Sequence, residues 1–231
     1  MAFANLNAVP FGAGQVAIAI AHSAYGGGHI GLAFHSAKAG PQVLHLSWHR
    51  KLEAHAVPDG LQTCWAADPL SVPPSASRQL VALIRAVAAR GATINYGINF
   101  VAARGSFGAN GSYKPPKGSD GLTCATFVVE VLRAGMVDLV KSNSWRQSPE
   151  NVAWGNSVCE ELAKAADAEH VAAVRRNVNG LRLRPFEVAG AAQLGPERWP
   201  VDFDSAQQPA SEAASQLPEI CPPPLQPAIF G

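Results

Sequence analysis

Three stretches in the first third of the chain alternate between apolar residues and small or polar ones, as β-strands do. They cover 15–22, 29–35 and 42–47, and segments rich in glycine separate them. A strand of this kind places successive side chains on opposite faces of a sheet. We therefore expect an antiparallel meander of three strands.

The parity of the middle strand decides which side chains can meet. Ile30, Leu32 and Phe34 share one face, which we assign to the core, and His29 lies on the opposite face. His45 in the third strand shares the face of His29 only if opposed residue numbers in the two strands sum to an even value. The register of this strand pair is therefore a prediction that a structure can test.

Two amphipathic helices are predicted in the middle of the chain. The first covers about 77–90 and is followed by Gly91. The second follows a long loop rich in glycine, asparagine and serine, with Thr123 as its N-cap and Gly135 at its C-terminal end. Cys124 is then the first residue of the second helix.

The last third of the chain is predicted to form an appendage. Residues 157–178 have a helical pattern, 181–188 resemble a short strand, and 196–231 have the composition of an extended tail. We expect one domain over 1–150 and a helical and proline-rich appendage over 151–231. A basic cluster in this region is interpreted as a solvated face, with binding of an anionic substrate as the alternative: Arg175, Arg176, Arg182 and Arg184.

Composition excludes several classes of protein. The 231 residues are 48% hydrophobic and 15% charged, with a net charge of +1, which is typical of a globular chain and argues against a nucleic-acid partner. The apolar run over 16–21 is too short for a membrane span, and the first residues lack the positive charge of a secretory signal. We expect a cytoplasmic protein by default, with signal-independent export as an effector as the alternative.

The four cysteines are widely spaced and contain no CxxC pair, which argues against structural zinc and against a disulfide framework. Cys124 is the most informative of them, because the start of a helix favours a thiolate. A cysteine in that position is a candidate nucleophile. The alternative is a small buried hydrophobe on a core helix.

Six of the seven histidines lie between His22 and His55. Attack of a thiolate on a carbonyl needs a base and a group that orients the base, and His29 and His45 can fill these positions if the register is even. A metal site built from His22, His29 and His35 is the alternative, but it has no nearby carboxylate. We interpret the remaining four as strand-end or loop residues without a role: His22, His35, His49 and His55.

Three segments resemble the circularly permuted branch of the NlpC/P60 superfamily of papain-like thiol hydrolases, whose relatives include lecithin:retinol acyltransferase-like enzymes. They are GHIGLAF at 28–34, VLHL at 43–46 and TCATFV at 123–128. In that branch the histidine strand precedes the cysteine helix. The resemblance runs from Gln15 to Gly135 and implies an α+β domain in which an antiparallel sheet packs against the cysteine helix.

The resemblance also implies roles for single residues. Cys124 would be the nucleophile, His29 the base and His45 the residue that orients the base. Tyr96 is similar to a tyrosine that many members use near the oxyanion hole, and Thr123 would border the substrate there. Many members have aspartate or asparagine before the cysteine, where this chain has Thr123.

The implied activity is that of a cysteine peptidase or amidase without a cofactor or a metal. Its substrate would be a peptide or a peptidoglycan fragment, hydrolysed at an amide bond in the stem peptide. A lipid acyltransferase or deacylase of the same superfamily and a catalytically inactive binding module are the alternatives. In the unpermuted order His170 would be the base, but 161–176 has the composition of a helix, which favours a surface or packing role.

Overall fold

The computed structural model describes residues 3–8, 11–23, 27–36, 40–57 and 64–223. Six strands in this part of the chain form one antiparallel sheet in the order β1-β6-β2-β3-β4-β5. The strands are β1 (Ala4–Asn5), β2 (Val16–Ala21), β3 (His29–Ser36), β4 (Gly40–Trp48), β5 (Lys51–Ala56) and β6 (Ala66–Pro69).

Six α-helices accompany the sheet in the described ranges, so the fold class is α+β, as expected. They are α1 (Pro74–Arg90), α2 (Cys124–Ala134), α3 (Pro149–Leu162), α4 (Ala168–Arg175), α5 (Pro185–Gln193) and α6 (Phe203–Ile220). None of these helices is both long and apolar enough to cross a membrane.

The predicted meander is confirmed as β2, β3 and β4. In the β3–β4 pair, Leu32 lies opposite Leu44 and Ala33 lies opposite Val43, so opposed residue numbers sum to an even value. The apolar side chains of β3 are buried in the main core, which α1 and α2 share. His29 and His45 therefore lie together on the other face, where small residues and Trp65 form a second buried cluster.

The sheet extends beyond the predicted meander on both sides. On one side, β5 follows β4 through a tight turn in which Arg50 has a φ of 60°. The β4–β5 register places Glu53 directly opposite His45. Since residues opposite each other in a sheet project from the same face, β5 brings a carboxylate to the histidine face.

The cysteine helix α2 begins and ends where the sequence predicts. The Thr123 hydroxyl accepts a hydrogen bond from the Thr126 N–H at 3.1 Å, and the Thr126 hydroxyl accepts one from the Thr123 N–H at 2.7 Å. This reciprocal pair is a capping box, which fixes the first turn of a helix. At the other end, the Gly135 N–H is bonded to the carbonyls of Val131 and Leu132.

The prediction of an extended tail is wrong for Phe203–Ile220, which form α6. The physical reason is a buried stripe at helical spacing, made by Ala206, Ala210, Ala213 and Leu217. This stripe packs on α5, where a Cβ added to Gly190 would lie 2.5 Å from the Ala210 nitrogen. The glycine thus permits the close approach of the two helices, and 224–231 lie outside the described residues.

The predicted strand over 181–188 is also wrong, because α5 begins at Pro185. Proline suits the first position of a helix, where its missing N–H has no partner to lose. The helical pattern over 157–178 is confirmed in kind, although it is divided between α3 and α4.

Cys64 and Cys221 form a disulfide with a Cα–Cα distance of 5.4 Å, a single bond that the sequence did not predict when it argued against a disulfide framework. Their separation of 157 residues gives no local sequence signal, since only the fold brings the end of α6 to the segment before β6. Cys124 and Cys159 are free and buried.

Candidate active site

A cavity of about 300 Å³ lies between the start of β3, the start of α2 and the loop before α5. Four of the five predicted site residues line it: His29, Tyr96, Thr123 and Cys124. Arg182 of the basic cluster also lines it, and residues that the sequence did not assign to a site complete its wall, among them Trp48, Trp154, Glu160 and Glu161.

The two predicted catalytic histidines are in direct contact. His29 Nε2 lies 2.8 Å from His45 Nδ1, and the two rings are nearly perpendicular. Trp65 packs against both rings, with centroid distances of 5.7 Å to His29 and 5.2 Å to His45. The even register and this packing therefore hold the predicted base and its orienting residue in one arrangement.

Glu53 is a further member of this group that sequence reasoning missed. Its Oε2 lies 4.0 Å from His45 Nε2 and 3.6 Å from His55 Nε2. Burial raises the pKa of Glu53, but a hydrogen bond with Ser47 and the two imidazoles outweigh it and lower the pKa overall. A charged carboxylate thus faces the outer nitrogen of His45. The alternation of Lys51–Ala56, with Glu53 and His55 on one face, was the available signal.

The order of contacts is compatible with the protonation pattern that general-base chemistry needs. A proton on His45 Nε2, which faces the Glu53 carboxylate, would leave His45 Nδ1 to accept the His29 Nε2–H when both rings are neutral. His29 Nδ1 then carries the lone pair. This tautomer is the one that can accept a proton from a thiol.

His45, Glu53 and His55 form the candidate metal-ligand set among the described residues. One ligand atom each from His45, Glu53 and His55 lie within 4.8 Å of one another. Two members of the set that the sequence suggested are engaged elsewhere, since His22 Nε2 lies 2.7 Å from the Cys221 carbonyl oxygen and His29 Nε2 lies 2.8 Å from His45 Nδ1.

Cys124 is the first residue of α2 and is buried. Burial raises the pKa of its thiol to about 11, while the N–H groups of Ile30, Ala125 and Cys124 itself and the charge of Arg182 act to lower the pKa. The sulfur therefore lies among backbone donors that could also serve an oxyanion. Cys124 Sγ forms no hydrogen bond with the His29 side chain in the described structure. The backbone N–H of Ile30, the residue after His29, does act on the sulfur.

The lowered pKa of His29 keeps its imidazole neutral and also makes it a weak base. Burial, followed by the charge of His45, lowers the pKa of His29 to about 3. At neutral pH the imidazole is therefore neutral, and the Cys124 thiol is protonated. A thiolate would form by transfer of the thiol proton to His29 as the sulfur attacks.

Tyr96 is positioned by two histidines that the sequence left without a firm role. Its N–H donates to His49 Nδ1 at 3.2 Å, and its carbonyl oxygen lies 2.9 Å from His170 Nε2. The Tyr96 ring packs on Trp48 with a centroid distance of 4.5 Å. His170 lies on α4, in the helix that its neighbours predict, and holds the backbone beside the cavity.

Thr123 lines the cavity, but its polar groups are used to start the helix. Both its N–H and its hydroxyl are bonded to Thr126. The unpaired donors at this helix start are then the N–H groups of Cys124 and Ala125, which face the sulfur.

Comparisons of the chain with protein-family models, with curated proteins and with solved structures found no match.

Proposed function

We propose that the chain is a cysteine hydrolase of amide bonds, with Cys124 as nucleophile, His29 as base and His45 orienting the base. We propose with it that the sheet and α2 form a papain-like domain of the circularly permuted NlpC/P60 type. The observation that carries the proposal is the 2.8 Å contact between His29 Nε2 and His45 Nδ1 beside the helix start that bears Cys124.

In the proposed reaction the Cys124 sulfur attacks the amide carbonyl carbon and its proton passes to His29 Nδ1. The tetrahedral intermediate breaks its C–N bond, and His29 gives the proton to the departing amine. Water then attacks the thioester and transfers a proton to His29. Cleavage of the C–S bond releases the carboxylic acid, and the proton returns to the sulfur.

The size of the cavity supports a compact acyl group. A volume of about 300 Å³ is at the lower end for small-molecule sites, which suits a short peptide better than a long lipid chain. Peptidoglycan stem peptides, which the sequence resemblance implies, are therefore the first substrates to screen, and lipid acyl donors are the second.

A catalytically inactive binding module is the second candidate function. Two observations favour it: burial raises the pKa of Cys124 to about 11, and Sγ forms no hydrogen bond with His29 in the described structure. A buried cysteine with these properties packs like a small hydrophobe.

We propose further that the protein works in an oxidising compartment, in contrast to the cytoplasmic default. The Cys64–Cys221 disulfide supports this, because disulfides persist in oxidising surroundings and are rare in the cytosol. Mass mapping of the protein isolated under thiol-blocking conditions tests it, and a reduced Cys64 would contradict it.

Acylation by p-nitrophenyl acetate tests the nucleophile without knowledge of the natural substrate. We expect an acetyl thioester on Cys124, found by peptide mapping after acid quenching, and its absence in Cys124→Ala. Cys159→Ala removes the other free thiol and should retain the adduct. His29→Gln should slow acylation by about 10²-fold or more, as loss of a general base does. An unmodified Cys124 in the folded wild type would refute the hydrolase and favour the binding module.

A further inference from the structure

One cation in the cavity wall has no role in the proposed chemistry. Arg182 lies in the loop between α4 and α5 and lines the cavity together with Cys124. Its guanidinium stacks on Trp154, with Cζ 3.4 Å from the ring centroid. A Cβ added to Gly27, two residues before His29, would lie 3.6 Å from Arg182 Nη2. The cation therefore lines the same cavity as both proposed reacting side chains, His29 and Cys124.

Arg182 has no directly bonded partner for its charge within the described structure, although the Glu187 carboxylate acts on it without forming an ion pair. It makes neither a side-chain hydrogen bond nor an ion pair there, whereas Arg184 is bonded to Glu150 and Asn151. The carboxylates on the cavity wall do not form an ion pair with Arg182. Glu161 pairs with Lys164, and no wall carboxylate lies within 4.0 Å of the Arg182 guanidinium.

A cation held in this way is poised for an anion. The pKa of Arg182 is lowered to about 10, mainly by burial. The guanidinium therefore stays charged at neutral pH. Removing a charge from water without pairing it is unfavourable, which strengthens its attraction for a carboxylate. Stacking on Trp154 covers the guanidinium face and leaves its N–H edge for two parallel hydrogen bonds.

We propose that Arg182 is a carboxylate-binding subsite, and that the acyl donor of this protein bears a free carboxylate near its scissile carbonyl. The inference rests on the proposed function, since it names the substrate class of the Cys124 site. Arg182 and Cys124 line the same cavity of about 300 Å³, so one compact acyl donor can place its carboxylate at Arg182 and its carbonyl at the sulfur. Of the basic cluster in the sequence, Arg182 is the member that lines the cavity.

Two alkylating reagents of similar size test this subsite. Iodoacetate carries a carboxylate and iodoacetamide does not, and both form an S–C bond to Cys124 as iodide leaves. The measured quantity is the ratio of the two alkylation rates at Cys124, followed by peptide mapping. The ratio cancels any change in thiolate population, so it reports recognition of the carboxylate alone.

Arg182→Met keeps an unbranched side chain that can still pack on Trp154 and removes the charge. We expect it to lower the iodoacetate-to-iodoacetamide ratio by about tenfold or more, as loss of a hydrogen bond between charged groups does. The matched control Arg176→Met removes an exposed charge outside the cavity and should leave the ratio unchanged. An unchanged ratio in Arg182→Met would overturn the subsite.

A second measurement needs no substitution. In the wild type, succinate should slow the reaction of Cys124 with iodoacetamide more than uncharged succinamide does at the same concentration. Equal protection by the two compounds would overturn the subsite while leaving the nucleophile in place. If neither reagent modifies Cys124 in the folded protein, the proposed function itself fails, and the subsite fails with it.

Discussion

The buried imidazole of His29 makes the stability of the fold depend on pH in a defined way. Burial and the charge of His45 lower the pKa of His29 to about 3, whereas an unfolded histidine titrates near about 6.5. Between these two values the unfolded chain binds a proton that the folded chain does not. The contribution of the neutral His29 to the free energy of unfolding is therefore complete above about pH 6.5 and decreases as the pH falls toward 3.

The expected loss follows from the width of this interval. Each pKa unit corresponds to about 1.4 kcal/mol, so lowering the pH from about 7.5 to about 5 should reduce the free energy of unfolding by about 2 kcal/mol through His29. The interval from about pH 7.5 to about pH 5 lies above about pH 4, where the carboxylates of the unfolded chain take up most of their protons.

Urea denaturation at both pH values measures this loss. His29→Gln keeps an amide that can bond His45 and removes the titrating group, so it should lose about 2 kcal/mol less than the wild type on acidification. His22→Gln removes a histidine outside the dyad and should retain the wild-type loss. Equal losses in His29→Gln and the wild type would refute the burial argument.

Three further perturbations have defined outcomes. Gly31→Ala would place a Cβ 3.0 Å from that of His45, and should lower the free energy of unfolding by about 1–3 kcal/mol in urea titrations; unchanged stability would contradict the close packing of the dyad. The Cys64–Cys221 disulfide joins residues 157 positions apart, so its reduction should lower the free energy of unfolding by up to about 5 kcal/mol. Cys221→Ser should make the stability of the protein insensitive to reductant. Alkylation of Cys124 should accelerate with pH up to about 11, and a plateau already at neutral pH would contradict its raised pKa.

The part of the site that could be predicted depends on local rules. The parity of β3 follows from the alternation of Ile30, Leu32 and Phe34 with smaller residues, and one even register then brings His29 to His45. Likewise, a threonine before the apolar run indicated the start of α2. Strand alternation and helix capping are encoded within a few residues, so sequence reasoning reaches them.

The rest depends on contacts between distant segments. Glu53 joins the dyad because a tight turn folds an edge strand back along β4, and this strand is too exposed to show a strong apolar pattern. Arg182 enters the cavity only because α4 and α5 position their connecting loop. The prolines of the tail suggested extended chain, yet α6 forms because its alanine stripe gains burial on α5.

The most direct test of the central claim is whether an electrophilic thiol probe labels Cys124 in a manner that depends on His29. Wild type, Cys124→Ala, His29→Ala and His170→Ala would be compared by peptide mapping of the labelled protein. We expect labelling in the wild type and in His170→Ala, none at this position in Cys124→Ala, and a rate at least about 10²-fold lower in His29→Ala. Labelling that is lost in His170→Ala and kept in His29→Ala would contradict it.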